Sequence, residues 1–106
     1  MNKNLAFYVR FHIKPEYVEQ WKEEAKEVIT KMSKEDTFVS CYMHEEKDDP
    51  TRFSLYEVWN EPSMEAFIKN QLEAKDYRHE YEKTLSAKLQ SERTFVVLDT
   101  MQEWHK

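Results

Sequence analysis

A chain of 106 residues has room for one domain and one core, so residues 1–106 are expected to form a single domain with its core over about 5–98. The formal net charge is −5, and the 16 basic residues are interleaved with 21 acids; this argues against nucleic acid as a partner, because phosphate recognition needs clustered Lys and Arg. The lone cysteine, Cys41, excludes an intramolecular disulfide and a cysteine-based zinc cluster, and the complete lack of glycine excludes the Walker and dinucleotide-binding loops.

Charged residues make up 35% of the chain and aromatic residues 14%. That is a folded protein with a thin core and a heavily charged exterior, not a disordered one. The N-terminal apolar run from Leu5 to Val9 is interrupted by Arg10. It is too short for a signal peptide or a membrane span, so no membrane association and a cytoplasmic location are expected.

Residues 5–13, LAFYVRFHI, alternate strictly. Leu5, Phe7, Val9, Phe11 and Ile13 face one way and Tyr8, Arg10 and His12 the other, which predicts a strand with one apolar face. Lys14-Pro15 opens a helix, with proline suited to its first turn. Val18, Trp21, Ala25, Val28, Ile29 and Met32 then form one apolar stripe at helical spacing, with Glu27 and Lys31 as an outward i,i+4 pair. The helix should fade over Ser33–Asp36. In TFVSCYMHEE, Val39, Cys41 and Met43 alternate with Ser40, Tyr42 and His44 and predict a second strand. KDDPT reads as a turn with Asp49 and Pro50 at its first two positions, and Phe53–Trp59 as the antiparallel return strand. A short helix is expected from about Ser63 to Leu72, with Met64, Phe67 and Ile68 inward. After a break near Glu73–Lys75, a second helical stretch places Tyr77, Tyr81, Leu85 and Leu89 on one stripe. TFVVLDT, residues 94–100, reads as the last strand, and the tail 101–106 is unassigned.

This order predicts an α+β, ferredoxin-like βαββαβ fold: a four-stranded antiparallel sheet with helices on one face. The uncovered face would carry Tyr8, Arg10, His12, Tyr42, His44 and Tyr56. A patch that aromatic usually marks an interface, so a homodimer packed sheet face to sheet face is expected.

With HIKPE closing the first strand, YMHEEKDDPTRFSLYEVW running through the hairpin, and a helix after it, the chain resembles the antibiotic biosynthesis monooxygenase domain family of the dimeric α/β-barrel superfamily. The resemblance spans about Leu5 to Leu98. It implies one of several activities: cofactor-free oxidation of phenols and quinols, haem degradation, or sugar-phosphate isomerisation. Thr37 stands where many members have glycine, and Phe67 and Asp76 stand where many have histidine. The haem-degrading branch pairs a strand-one asparagine with a tryptophan and a helical histidine. Trp59 matches that tryptophan, strand one offers only Asn4 at its lip, and His79 lies near the histidine position.

The candidate site residues follow from position and chemistry. Trp59, either a core aromatic or a pocket wall, is a rigid surface for a flat aromatic ligand. Phe67, Phe53 and Tyr77 are grouped with it as substrate-binding. Glu57 shares a strand face with Leu55 and Trp59, where its charge needs a partner or water. It is either an ion-pair partner to Arg10 or Arg52, or a proton acceptor with a raised pKa. His79 and Tyr81 are the other proton-handling candidates, though a solvated or capping histidine is the ordinary alternative for His79. No two histidines have i,i+3 or i,i+4 spacing and no HExxH occurs, so no metal is expected. Cys41 is expected to be a buried small hydrophobe. The expected activity is cofactor-free monooxygenation of a small electron-rich aromatic, a quinol or polyphenol, by O2. The alternative is haem binding, haem degradation or non-catalytic ligand binding in the same pocket.

Overall fold

The computed structural model describes residues 4–106. The alternating residues at the N-terminus form β1 (Leu5–Ile13). A short 3-10 turn over Pro15–Tyr17 leads into α1 (Val18–Met32), and the hairpin follows as β2 (Phe38–Glu46) and β3 (Asp49–Trp59). Then come α2 (Met64–Phe67), which continues as a π-helical turn over Ile68–Leu72, α3 (Asp76–Leu85) and β4 (Leu89–Leu98). The strands lie in the order β2-β3-β1-β4, every neighbouring pair antiparallel. The result is the ferredoxin-like α+β plan, one four-stranded sheet whose helices pack on one face.

Alternation in the strands decides what that face carries. The β1–β3 register sets Phe7 opposite Glu57, Val9 opposite Leu55 and Phe11 opposite Phe53, all on the side that meets the helices. From α1, Trp21, Ala25, Val28 and Met32 are buried against it, at the spacing of four, three and four that a helix needs to keep one face inward. Two clusters result. One is built on Trp21 with Phe11, Phe53 and Leu85, the other on Trp59 with Phe7, Met32 and Phe67.

The structure departs from the sequence reading in four places, each with a local cause. Val39 was expected inside beside Cys41 and Met43. A register shift between Phe38 and Ser40 breaks the alternation; Phe38 packs edge-on against Trp59, and Val39 is 48% exposed. The hairpin turn is Lys47–Asp48 rather than KDDPT, because β3 already begins at Asp49. The Asp49 carboxylate accepts from the Thr51 N–H at 3.0 Å and the Thr51 hydroxyl at 2.6 Å, which organises the start of the strand. Pro50 lies beyond Arg52, the last residue there paired with β1, so its missing N–H costs that ladder nothing.

Ile68 was expected to face inward. The wider π-helical turn, closed by the Glu73 N–H on the Ile68 carbonyl, shifts the inward position to Gln71, which is buried while Ile68 is exposed. Leu89 was placed on a helical stripe but belongs to β4, paired with Ile13. The helix stops where the Lys88 ammonium is drawn inside, 2.6 Å from Glu24 and 3.0 Å from the Thr84 hydroxyl. Strand β4 therefore starts five residues earlier than residue 94 and ends at Leu98.

The second sheet face is free of helices. Tyr42 is 59% exposed there, its ring stacked near His44, and Arg10 pairs with Glu46 at 2.8 Å. Among the described residues no helix is long and apolar enough to cross a membrane.

Candidate active site

Between the two core clusters the packing is incomplete. A cavity of about 20 Å³ lies between the sheet and helices α1 and α3, space on the order of one water molecule. Its walls are largely apolar, with Phe7, Val28, Met32, Phe67 and Phe95 among them. Four polar side chains also reach it: Glu57 from β3, Arg78 and Tyr81 from α3, and Arg93 from β4.

Glu57 is there because strand alternation leaves it no choice. Leu55 and Trp59, two residues away on either side, are both core residues, so Glu57 between them also points at the helices, and it is only 4% exposed. The ion pairs expected for it do not form: Arg10 is taken by Glu46 and Arg52 by Asp49. Its carboxylate instead accepts from the Trp59 indole N–H at 3.0 Å. Burial raises its pKa above the ordinary carboxylate value, and the Trp59 bond, then Arg78 and Arg93, pull it partly back. A carboxyl with a raised pKa is a stronger base than an ordinary one when ionised.

Arg78 is the least compensated charge in the core. It is 7% exposed, and its Nη1 donates to the Met32 sulfur at 3.0 Å, a weak acceptor. Its Nη2 lies 3.6 Å from Glu82, and its Nε has no partner. Glu82 is occupied by another cation, for Arg93 binds both of its oxygens, at 2.8 and 2.6 Å. Arg93 also lies over the Phe95 ring at 5.0 Å. Tyr81 accepts from the Trp21 indole N–H at 2.9 Å. Burial, moderated by that bond, pushes its phenol up to about 12.

The sequence-derived candidates are thus divided. Glu57, Tyr81 and Phe67 meet at the cavity. Trp59 is fully buried behind them, packed on Phe38 and Phe67, and does not itself line the cavity. Phe53 belongs to the other cluster, against Trp21. Tyr77 lies in a separate groove of about 200 Å³ between α1 and α3. There its hydroxyl donates to Glu35 at 2.9 Å, and burial and that carboxylate raise its pKa. His79 is exposed, its Nε2 2.6 Å from the Glu73 carbonyl oxygen; it ties down the turn before α3 and is not a cavity residue. Cys41 packs against the Trp21 cluster, and burial, with Glu57 adding, holds its thiol up near 12.

Arg78 and Arg93 were not among the candidates. The available signal was faint: Arg78 precedes Leu85 by seven residues and so shares its helix face, but it sits in the highly charged run DYRHEYEK. The residues present do not fit a haem. No histidine lines the cavity, so it offers no imidazole to hold a haem iron. Among the described residues no three His, Cys, Asp or Glu side chains gather as a metal site.

The family model described as antibiotic biosynthesis monooxygenase matches residues 5–79. No curated protein matches the sequence. Among solved structures, one described as an antibiotic biosynthesis monooxygenase is 20% identical with a TM-score of 0.80, over 92% of this chain and 99% of that one. A Nitrosomonas europaea protein, named as a candidate antibiotic biosynthesis monooxygenase, is 19% identical with a TM-score of 0.80, over 92% and 99%. A Pseudomonas aeruginosa protein is 17% identical with a TM-score of 0.81, over 96% and 98%. At these identities the structural likeness concerns the fold.

Proposed function

The chain belongs to the antibiotic biosynthesis monooxygenase family, and from that premise we propose that it oxidises a small phenol or quinol with O2 in the cavity between sheet and helices, without a metal or organic cofactor. The supporting observation is Glu57, a buried carboxyl with a raised pKa in a largely apolar cavity. Cofactor-free oxidation needs a base that converts a phenol to its phenolate, since the anion gives up an electron to O2 far more readily. It also needs an enclosure that keeps water away from the intermediate.

The chemistry balances with one carboxyl. Glu57 takes the phenol proton, and the phenolate passes one electron to O2, leaving a ring radical and superoxide. These combine at a hydrogen-bearing ring carbon ortho or para to the oxygen, and Glu57 returns its proton to the new peroxide. When Glu57 then removes the hydrogen from that carbon, the carbon becomes a carbonyl, the O–O bond breaks, and the departing hydroxide collects the proton from Glu57 as water. Phenol and O2 have become quinone and water. Phe67 and Phe7, with ring centroids 5.1 Å apart, form the wall for the ring, and Trp59 holds Glu57 in place. At about 20 Å³ the closed cavity is too small for a ring, so this reading requires Phe95, 38% exposed at the sheet edge, and Arg93 to swing aside and make the room. The free sheet face, with Tyr8, Arg10, His12, Tyr42 and His44, pairs two copies; a monomer mass by light scattering at micromolar concentration would remove that part.

The test is oxygen uptake by metal-free protein with a panel of quinols and catechols, corrected for autoxidation. Protein-dependent uptake that falls on the order of 10²-fold or more in Glu57→Gln is expected for loss of a general base. No protein-dependent uptake across the panel would overturn the reading.

A further inference from the structure

Arg78 brings a charge into the core and leaves one donor unused. It is 7% exposed and its Nε–H has no acceptor, a costly state for a buried guanidinium. It lines a closed space of about 20 Å³, room on the order of one water molecule or one ion of similar size. The Tyr81 hydroxyl, one helical turn on, accepts from Trp21 and still has its own proton to give. Arg93 on β4 binds both oxygens of Glu82, which Arg78 approaches only to 3.6 Å, so the charge left to balance Arg78 is that of Glu57 on β3. The walls from α1, β1 and α2 are apolar, and Cys41, opposite Glu57 on β2, keeps its thiol protonated until about pH 12. With Glu57 ionised, the buried charges cancel, and a water that accepts from Arg78 and donates to Glu57 suits the space. With Glu57 protonated, one positive charge is left over, and Arg78, Tyr81 and Glu57 all present donors. A water must place two protons of its own against such a wall, whereas an anion only accepts.

We propose that this closed cavity is a halide site: one chloride ion binds against Arg78 Nε and the Tyr81 hydroxyl, and a proton joins Glu57 as the ion enters. Charge is conserved, because the chloride takes over the negative charge that the carboxylate gives up. Nothing is oxidised or reduced. The burial that raises the Glu57 pKa also favours the protonated partner. The inference goes beyond the oxidation reading and does not rest on it, since the ion needs no side chain to move aside to make room. Where both hold, chloride is an inhibitor: a carboxyl that holds a proton beside chloride cannot take one from a phenol.

The probe is sodium chloride titrated into the whole protein, with gluconate, an anion far too large for the cavity, holding the ionic strength constant. Binding is read from the chloride NMR line, which broadens when the ion exchanges with a protein site, and bromide should reverse the broadening. Because one proton accompanies each ion, the affinity should fall about tenfold per pH unit once the pH passes the Glu57 pKa. Glu57→Gln, neutral at every pH, should bind chloride with no such slope. Arg78→Gln should weaken binding about tenfold or more, the loss of one contact between charged partners. No saturable broadening, broadening undiminished in folded Arg78→Gln, or a wild-type affinity indifferent to pH would overturn the proposal. Should Arg78→Gln fail to fold, the pH slope of the wild type against that of Glu57→Gln decides the matter alone. Quinol-dependent oxygen uptake without halide binding would leave the monooxygenase reading standing; halide binding without uptake would do the reverse.

Discussion

Trp21 and Trp59 are both completely buried, one in each core cluster, yet they do different work. Trp21 gives its indole N–H to the Tyr81 phenol, a group that stays neutral until about pH 12. Trp59 gives its N–H to the Glu57 carboxyl, whose pKa burial raises above the ordinary carboxylate value. Around Trp21 the rings of Phe11 and Phe53 close at 5.0 and 4.8 Å. Around Trp59 the core ends at a cavity edge shared with charged side chains. Burial therefore does not distinguish the two tryptophans. The ionisability of the hydrogen-bond partner does.

Truncation should hide this difference. Trp21→Ala and Trp59→Ala should each cost about 3–5 kcal/mol, a large share of what a domain this size possesses, measured as midpoint loss in urea unfolding. Neither would report on ligand binding, since a loss of that size is comparable to the domain's whole stability, so an alanine at Trp59 is a poor test of the site. If one of the two were nearly neutral, that cluster would not be the packed core described above.

Conservative substitution should separate them. Trp21→Phe and Trp59→Phe lose similar ring volume, but the first removes a neutral hydrogen bond of about 1 kcal/mol and the second a bond to a charged group, about 1.5–3 kcal/mol. At a pH high enough to ionise Glu57, Trp59→Phe should therefore be the more costly by about 1 kcal/mol. At a pH low enough to protonate it, the gap should close. A gap that does not change with pH would mean that Glu57 keeps one protonation state throughout.

How much of this was legible beforehand follows periodicity. Strict alternation in Leu5–Ile13 and the four-three-four spacing of the α1 stripe are long patterns that one misplaced residue cannot disguise, and the fold followed from them. Val39, Ile68 and Leu89 were misplaced because a bulge, a π-helical turn and a helix stop each interrupt the period, and no composition signal marks such a break. At the site, Glu57 was conspicuous as an acid between core residues, and strand alternation aimed it correctly. Arg78 and Arg93 were not, since a buried arginine in a chain that is 35% charged looks like every solvated one. Their roles come from tertiary partners: Met32 lies 46 positions from Arg78 in the chain.

The smallest effect is the most direct on Glu57 itself. A carboxyl whose folded pKa is raised above its unfolded value binds its proton more tightly in the native state. Its favourable contribution is complete below the unfolded pKa and is lost as pH rises through the folded one. Wild-type stability, measured relative to Glu57→Gln, whose side chain does not titrate, should therefore decline with rising pH across that interval, by at most about 1.4 kcal/mol per pH unit, and level off above it. Comparing the two proteins removes the titrations they share, including those of Cys41 and Tyr81, both of which lie far above the interval. The opposite slope, with the wild type gaining on the variant as pH rises, would mean that Arg78, Arg93 and the Trp59 N–H together outweigh desolvation. Glu57 would then be a permanent carboxylate, too weak a base to take a proton from a phenol, and the catalytic proton would have to pass elsewhere in the cavity.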